Sequence, residues 1–487
     1  MTQESIQYLS REILGLLGGL RDFGAGDTKV KPDREGELRE RTVAAMSEGH
    51  FRVGRTERQG LFGFTGRRYE YIDDDDFAAA IRPALVELGV GVVYRNASVG
   101  KIYNDLRTCA TIRDYRPTKG VVAFRNRMLN LDTMEAMPHN GDVETAVYLD
   151  IDYDPAARAP RWEQFLHEVL TDEKAIMVLQ EFFGCVFVDR NKIHMAEALF
   201  LYGKGANGKS VVLDVMKDIL GRNMTNASLK SLCSSMHADY HLASIDGALL
   251  NFSPDEGADT FSSGIFKNLT DGSPIRVRPI GEKPYDAHNM PLIACNLNKI
   301  PQTSDTSNGY YRRMLIIPFT RVFKKEEMDR TLNDKLRKEL SGIFNWIMEG
   351  RKRIIEQEGC FTESADVRSA KSFARINGSS VLQWLEDCGY HPTGDIKKGH
   401  KKVRLSSKEL REKYASYCTD MGYQPKSLKN LRDELTDEGY EFKVVRPDSG
   451  GCPVKGIIMW WHGSDADDEV EEDDDTMVGM DDEDLPF

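Results

Sequence analysis

The sequence predicts an α/β chain of several domains, and three observations carry the prediction. An apolar run, Ala198 to Tyr202, leads through a glycine-rich turn into an amphipathic helix. Upstream, residues 41–195 mix short strand-like stretches with helical periodicity. Downstream, residues 356–462 read as two helices followed by strands. With 487 residues the chain has room for about three domains.

Composition narrows the class. No run of about 18 apolar residues exists, so no membrane span is expected. The start, "MTQESIQYLSREILGLLGGL", is amphipathic and lacks the apolar segment of a signal peptide, so a cytoplasmic location is expected. Eight cysteines are scattered without a C-x-x-C pair, which favours reduced, buried thiols over zinc or disulfides. The net charge of −13 is concentrated at one end. Residues 464–487 hold thirteen of the 78 acidic residues and no Lys or Arg, leaving 65 acidic against 65 basic residues elsewhere. The body is therefore neutral overall and can carry basic patches, and the acidic tail is expected to be disordered.

Residues 1–40 begin with a helix on which Ile6, Leu9, Ile13, Leu16, Leu17 and Leu20 share a face. Gly18, Gly19, Gly24 and Gly26 then break it, and a charged linker follows. That face suits simple packing or contact with a partner equally. In residues 41–195, "GLFGFTGRRYEYID" predicts a hairpin turning near Gly66. Asp73 to Asp76 precede "FAAAIRPALVELG". Four carboxylates suggest a metal, but acids at a helix start are the better reading. "VVAFRNRMLNLDTMEAMPHN" reads as strand, turn, strand, with Asn130 and Asp132 in the turn region. "WEQFLHEVLTDEKAIMVLQEFFGCVFV" is helical.

Residues 196–355 carry the chemistry. Gly203, Lys204, Gly205, Ala206, Asn207, Gly208, Lys209 and Ser210 match G-x-x-x-x-G-K-[ST], the phosphate loop of nucleoside triphosphate sites. Glycines let the backbone wrap phosphates, so that N–H groups and a helix start face negative charge. Lys209 would reach the β and γ phosphates, and the Ser210 hydroxyl would bind Mg²⁺. "GALLNFSPDEG" is an apolar strand ending in Asp255 and Glu256, where a carboxylate can hold the metal and polarise water. "LIACNLNKIP" is a strand ending at Asn296, an amide able to orient that water. "GYYRRMLIIPF" sets Arg312 and Arg313 before a strand, where an arginine can neutralise transition-state charge in a neighbouring subunit. Between them, Arg276 and Arg278 alternate with apolar residues, and "IGEKPY" reads as a turn with Lys283 and Tyr285. A basic hairpin with an aromatic suits a nucleic-acid backbone and base, although charged hairpins are also common on surfaces.

The order and spacing of these elements resemble superfamily 3 helicases, and most of all the phage and plasmid replicative helicases related to poxvirus and satellite-phage primase-helicases. "LFLYGKGANGKS", "LLNFSPDE", "FKNLTDGSPIRVRPIGEKPY", "LIACNLNKIP" and "YYRRMLIIPF" carry the likeness. "LRKELSGIFNWIMEGRKRI", "VVAFRNRMLNLDTMEAMPHN" and "LQEFFGCVFV" extend it over roughly residues 45–440. The resemblance implies a P-loop AAA+-like ATPase core at 196–355, an N-terminal α/β helicase-associated domain at 41–195 and a C-terminal winged-helix domain. It implies a hexameric ring that binds ATP and Mg²⁺ between subunits and moves along single-stranded DNA, usually 3′ to 5′. Glu256 matches the water-activating carboxylate, with Asp255 beside it on the metal, and Asn296 is the sensor. Arg313 matches the arginine finger better than Arg312, and Lys283 sits at the basic hairpin tip. Pro254 interrupts a strand the family keeps continuous. The carboxylates and histidine of the family's primase domain are not recognisable before residue 41, so helicase activity without primer synthesis is expected. The rival reading is a DNA-binding ATPase for origin recognition or loading that does not unwind.

In residues 356–462, "SSKELREKYASYCTDMGY" and "SLKNLRDELTDEGYEFKVVRP" read as two helices leading to "KGIIMWW". The order suits a winged helix whose second helix, with Lys426, Lys429, Asn430 and Arg432, meets DNA. Lys397, Lys398, Lys401 and Lys402 belong to the densest basic cluster, suited to phosphates or to a solvated loop. The tail closes on Leu485, Pro486 and Phe487 and resembles the tip of bacterial single-strand binding proteins. That resemblance implies docking to host replication proteins; competition of the tail with DNA is the alternative.

Overall fold

The structure is a computed structural model that describes residues 1–54, 60–190, 192–234, 237–256, 263–281, 283–299, 308–324, 326–392, 401–450 and 452–461. The chain forms two compact units, Met1–Gln302 with Arg312–Ala370 and Thr303–Tyr311 with Lys371–Phe487.

The first unit opens with α1 (Gln3–Leu16), whose start is capped by the Thr2 side chain accepting from the Ser5 N–H. Then come α2 (Pro32–Ser47), β1 (Phe51–Gly54), β2 (Gly60–Phe64), β3 (Tyr69–Ile72), α3 (Asp74–Glu87) and α4 (Val92–Thr108). The hairpin expected around Gly66 is β2 paired antiparallel with β3. These elements share one core that includes Leu9, Ile13, Leu17, Phe51, Leu61, Phe77 and Leu106. The apolar face of α1 is thus covered within its own unit. The Asp73 side chain accepts from the Asp76 N–H at 2.8 Å and caps α3, which explains the acidic run without a metal.

A second core is built on β4 (Val121–Ala123), β5 (Met128–Asn130), α5 (Pro160–Val169) and α6 (Glu173–Cys185), with β6 (Glu135–Met137) pairing beside β5 at its edge. It continues into β7 (Ala198–Tyr202), α7 (Lys209–Leu220), β8 (Met224–Thr225), α8 (Leu229–Leu232), α9 (Ala238–Ala243), β9 (Leu250–Glu256) and α10 (Ser263–Asp271). A hairpin of β10 (Ile275–Val277) and β11 (Tyr285–Ala287) precedes β12 (Leu292–Leu297) and β13 (Met314–Pro318), the single turn α11 (Asn308–Tyr311) between them in sequence belonging to the second unit. One five-stranded sheet has the order β13-β7-β12-β9-β8. All its pairings are parallel, so every strand ends at the same edge. Its strands are apolar on both faces because helices cover them. The chain goes on through α12 (Leu332–Arg337), α13 (Leu340–Glu356) and α14 (Ala365–Gly378).

Two glycines set the approach of α6 to α13. A Cβ on Gly184 would lie 2.3 Å from the Arg351 nitrogen, and one on Gly350 would lie 2.1 Å from the Gln180 oxygen. Only hydrogen fits between these backbones.

The second unit contains α15 (Ser380–Asp387), β14 (Tyr390–His391), β15 (Lys401–Ser406), α16 (Ser407–Met421), α17 (Leu428–Asp437), β16 (Phe442–Val445) and β17 (Val454–Trp461). β17 pairs antiparallel with β14, β15 and β16. The two predicted helices are α16 and α17, and Ser406 with Glu409 closes a capping box at the start of α16.

Candidate nucleotide site and basic hairpin

The loop between β7 and α7 lies at the edge where the parallel strands end. There the strand order reverses, with β8 at one edge of the sheet and β13 and β12 flanking β7. Gly205 (φ +101°), Ala206 (φ +48°) and Gly208 (φ +91°) are left-handed, which turns the backbone sharply around a small volume. Two of its glycines are packed too closely for a side chain. A Cβ on Gly203 would lie 2.0 Å from Asn207 Nδ2, and one on Gly208 would lie 2.9 Å from Val169 Cγ1. Asn207 donates to the Phe319 carbonyl at 3.3 Å, and the Phe323 N–H donates to the Ala206 carbonyl at 2.9 Å. These bonds tie the loop to the segment after β13. No side chain caps α7, so its N-terminal end is turned to the loop. Lys204, Ala206 and Ser210 are exposed there.

Lys209 is 5% exposed. Its ammonium donates to the Gly203 carbonyl at 2.5 Å, Asn207 Oδ1 at 3.2 Å and Asn298 Oδ1 at 3.2 Å. Asn298 was not singled out by the sequence. It lies two residues beyond Asn296, and the spacing "NLN" was the available signal. Asn296 itself is 2% exposed, and its Oδ1 has no hydrogen-bond partner among the described residues. It pairs in register with Leu201 of β7, so it stands at the same end of the sheet as the loop.

Pro254 does not end its strand. β9 runs through to Glu256, but its register with β12 shifts: Cys295 faces Ser253, whereas Leu297 faces Glu256. Pro254 and Asp255 together oppose Asn296. This is a bulge, which accommodates a proline without its N–H and bends the strand at the point where the acidic pair begins. The side chains of Asp255 and Glu256 lie outside the described residues.

The two arginines differ sharply. Arg313 is 6% exposed, and its guanidinium grips Asp271 of α10, with Nη2 at 2.6 and 2.7 Å and Nε at 3.1 Å. Arg313, expected as the better finger, is therefore committed inside its own chain. Arg312 is exposed. Both precede β13, at the edge where the parallel strands begin. Met314 pairs with Ala198 and Pro318 with Tyr202, so the sheet's full strand length separates Arg312 from the loop. At about 3.3 Å per residue that is roughly 16 Å.

The hairpin is anchored at its base. The Tyr285 hydroxyl donates to Asp246 at 2.6 Å, Arg276 pairs with Asp286 at 3.2 Å, and Arg278 lies over the Tyr240 ring at 5.8 Å. The Tyr285 hydroxyl thus braces the hairpin, while its ring is half-buried. The tip presents Lys283, exposed, and Ile280, which is 89% exposed. Ile280 was missed because an apolar residue in a strand-like run reads as core.

In the second unit, Arg432 donates to Ser407 Oγ at 2.5 Å and lies over the Phe442 ring at 5.6 Å. Lys426 pairs with Glu434 at 2.6 Å. Both expected DNA contacts therefore have structural work within the unit. Lys429 and Asn430 are exposed on α17 beside exposed Asp433 and Asp437, and Lys401 is exposed on β15. Lys402 is half-buried. Lys397, Lys398, Leu485, Pro486 and Phe487 lie outside the described residues.

Residues 201–313 match a family of unknown function, DUF5906, and residues 91–171 match the D5 N terminal like family. A putative helicase of Acanthamoeba polyphaga mimivirus, L207/L206, is 30% identical over 132 residues, which is 26% of this chain. The chain spans only 14% of that relative's length. Among solved structures, the apo NrS-1 C terminal region (305–718) is similar at 15% identity, with a TM-score of 0.45, over 85% of this chain and 97% of that one. A second structure of that region, the A form, gives 14% identity and a TM-score of 0.44 over the same shares. No described helix is long and apolar enough to cross a membrane.

Proposed function

We propose that the chain is an ATP-driven DNA helicase of the superfamily 3 type, from a phage or other mobile element, working as a ring of identical subunits. One observation carries the reading. A preformed anion loop and an exposed arginine, Arg312, lie at opposite edges of one parallel sheet, too far apart to meet within one chain. A neighbour's Arg312 would complete each site.

The loop fits a nucleoside triphosphate. Close packing at Gly203 and Gly208 holds its turn, and its lysine donates to the Gly203 carbonyl, Asn207 and Asn298, oxygens that phosphates would replace. Ser210, exposed on the first turn of α7, and the carboxylates of Asp255 and Glu256 are the residues to hold Mg²⁺. The ion would neutralise charge on the β and γ phosphates. Asn296, buried at the strand end with an oxygen that has no partner among the described residues, would orient the attacking water. Lys283 and Ile280 at the braced hairpin tip would contact single-stranded DNA, with travel 3′ to 5′ in a hexamer. The second unit, read as a winged helix, would add a duplex contact through Lys401 and Lys429. The tail tip would recruit host replication proteins.

The test is ATP-dependent strand separation on a forked substrate with purified protein. Unwinding that requires ATP supports the reading. Hydrolysis with DNA binding but no strand separation would assign the chain to origin recognition or loading instead.

A further inference from the structure

The inward-facing arginine and its partner form a junction that the finger reading leaves unused. α10 begins just beyond the acidic end of β9 and runs nine residues to Asp271, at the opposite edge of the sheet. At about 1.5 Å per residue that is roughly 13 Å. Asp271 receives the Arg313 guanidinium through both carboxylate oxygens. A second arginine, Arg190, donates to the Leu269 carbonyl at 3.1 Å, in the last turn of the same helix. Burial lowers the Arg190 pKa to about 10, and the Asp271 charge acts in the opposite direction. Two cations thus meet the negative end of α10 with one carboxylate between them. Gly272 (φ +66°) follows, and a Cβ there would lie 2.8 Å from Arg190 Nη1. The hairpin strand β10 begins three residues later.

We propose that Asp271 is a positioning residue that, through Arg313, aims the exposed Arg312 of its own chain at the neighbour's nucleotide. The proposal rests on the shared-site reading above. Its logic is mechanical. Arg313 is the residue between Arg312 and the start of β13; its carbonyl accepts from the Ala198 N–H at 2.8 Å, and its clamped guanidinium adds a second tether to the backbone from which Arg312 projects. The same clamp joins that backbone to α10, whose other end follows the carboxylate strand of the chain's own site. A bidentate Arg–carboxylate pair holds orientation as well as charge, which a single hydrogen bond does not. Neutralising Asp271 removes the bidentate carboxylate partner from a buried guanidinium.

The experiment is complementation in trans with full-length chains. Arg312→Ala mixed with Lys209→Ala serves as the reference, since one has an intact loop and the other an intact finger. Asp271→Asn mixed with Lys209→Ala is the test. Alone, Asp271→Asn should hydrolyse ATP at least about tenfold more slowly at saturating ATP, with the KM for ATP within about twofold of wild type. Mixing should restore a substantial part of the lost rate, because the Lys209→Ala neighbour supplies a correctly aimed Arg312. Asp271→Glu, which keeps the carboxylate, should hydrolyse faster than Asp271→Asn, and it replaces that variant in the mixture if Asp271→Asn does not melt cooperatively. Recovery in the reference pair but none in the test pair would overturn the positioning role and leave the shared site standing. No recovery in either pair would remove the shared site and the positioning role together.

Discussion

At the residue scale, the sharpest separation is between two adjacent arginines. Arg313 is closed onto Asp271 and Arg312 faces outward. Arg312→Ala is therefore expected to abolish turnover, by about 10³ or more if it acts as an arginine finger, while binding of a fluorescent ATP analogue stays near wild type. On the proposed reading, Lys209→Ala would remove the charge facing the phosphates and should lower both turnover and analogue affinity. Equal loss of affinity in both variants would argue against an arginine that acts only in the transition state. Which arginine of the pair faces out was not legible in the sequence. The answer depends on Asp271, 42 residues away. The glycine-rich turn after β7 was legible, because the left-handed backbone of Gly205 and Gly208 is demanded by local geometry alone. Asn298 and Ile280 were not, since one touches Lys209 only after the chain folds and the other breaks the rule that apolar residues turn inward.

At the scale of elements, glycines in two helices give opposite predictions. Gly350 of α13 meets the Gln180 oxygen at 2.1 Å from an added Cβ, so Gly350→Ala must push α6 away. Overpacking of that kind costs about 1–3 kcal/mol. Gly100 of α4 has no atom within 4 Å of an added Cβ and is exposed. Gly100→Ala should stabilise by about 0.5–1 kcal/mol. Urea unfolding of both variants checks the pair, and equal effects would mean the crossing is looser than its backbone distances indicate. A third prediction concerns the turn after β5. Lys192, at 2.6 Å, and Arg351 of α13, also at 2.6 Å, hold the Asp132 carboxyl below the usual carboxylate range. A folded value below the unfolded one, about 3.9, means the stabilisation is full above that pH and fades as pH falls through the folded value. The Asp132 side chain is 46% exposed, so screening keeps the effect small. Asp132→Asn should melt slightly below wild type at pH 7 and together with it in strong acid. A gap of constant size at every pH would show that the carboxylate charge is not what joins the turn to α13. The element pattern around these contacts was readable from periodicity. The ion pair was not, because Asp132 and Arg351 are 219 residues apart.

At the scale of the whole molecule, charge and symmetry both bear on how the chain works. The body is neutral once the thirteen acids of residues 464–487 are set aside. If the tail competes with DNA for basic surface, deleting 464–487 should strengthen DNA binding, most visibly at low salt where such competition is least screened. If it serves only host proteins, deleting 485–487 should abolish their capture and leave DNA affinity unchanged. Symmetry gives the stronger test. The phosphate loop stands where the strands of the sheet end, and Arg312 stands where they begin, about 16 Å away along β13 and β7. Rigid strands cannot fold back on themselves, so on the shared-site proposal a lone subunit would have a loop without a finger. Its hydrolysis rate per chain should be low when dilute, rise with protein concentration, and level off once neighbours are bound. Arg312→Ala should remain flat over the same range, because association brings it no finger. Sedimentation in parallel must show assembly over the concentrations where wild-type activity rises. A wild-type rate per chain that is already maximal in the monomer would mean that each loop completes its own site, and the ring would lose its catalytic reason to exist.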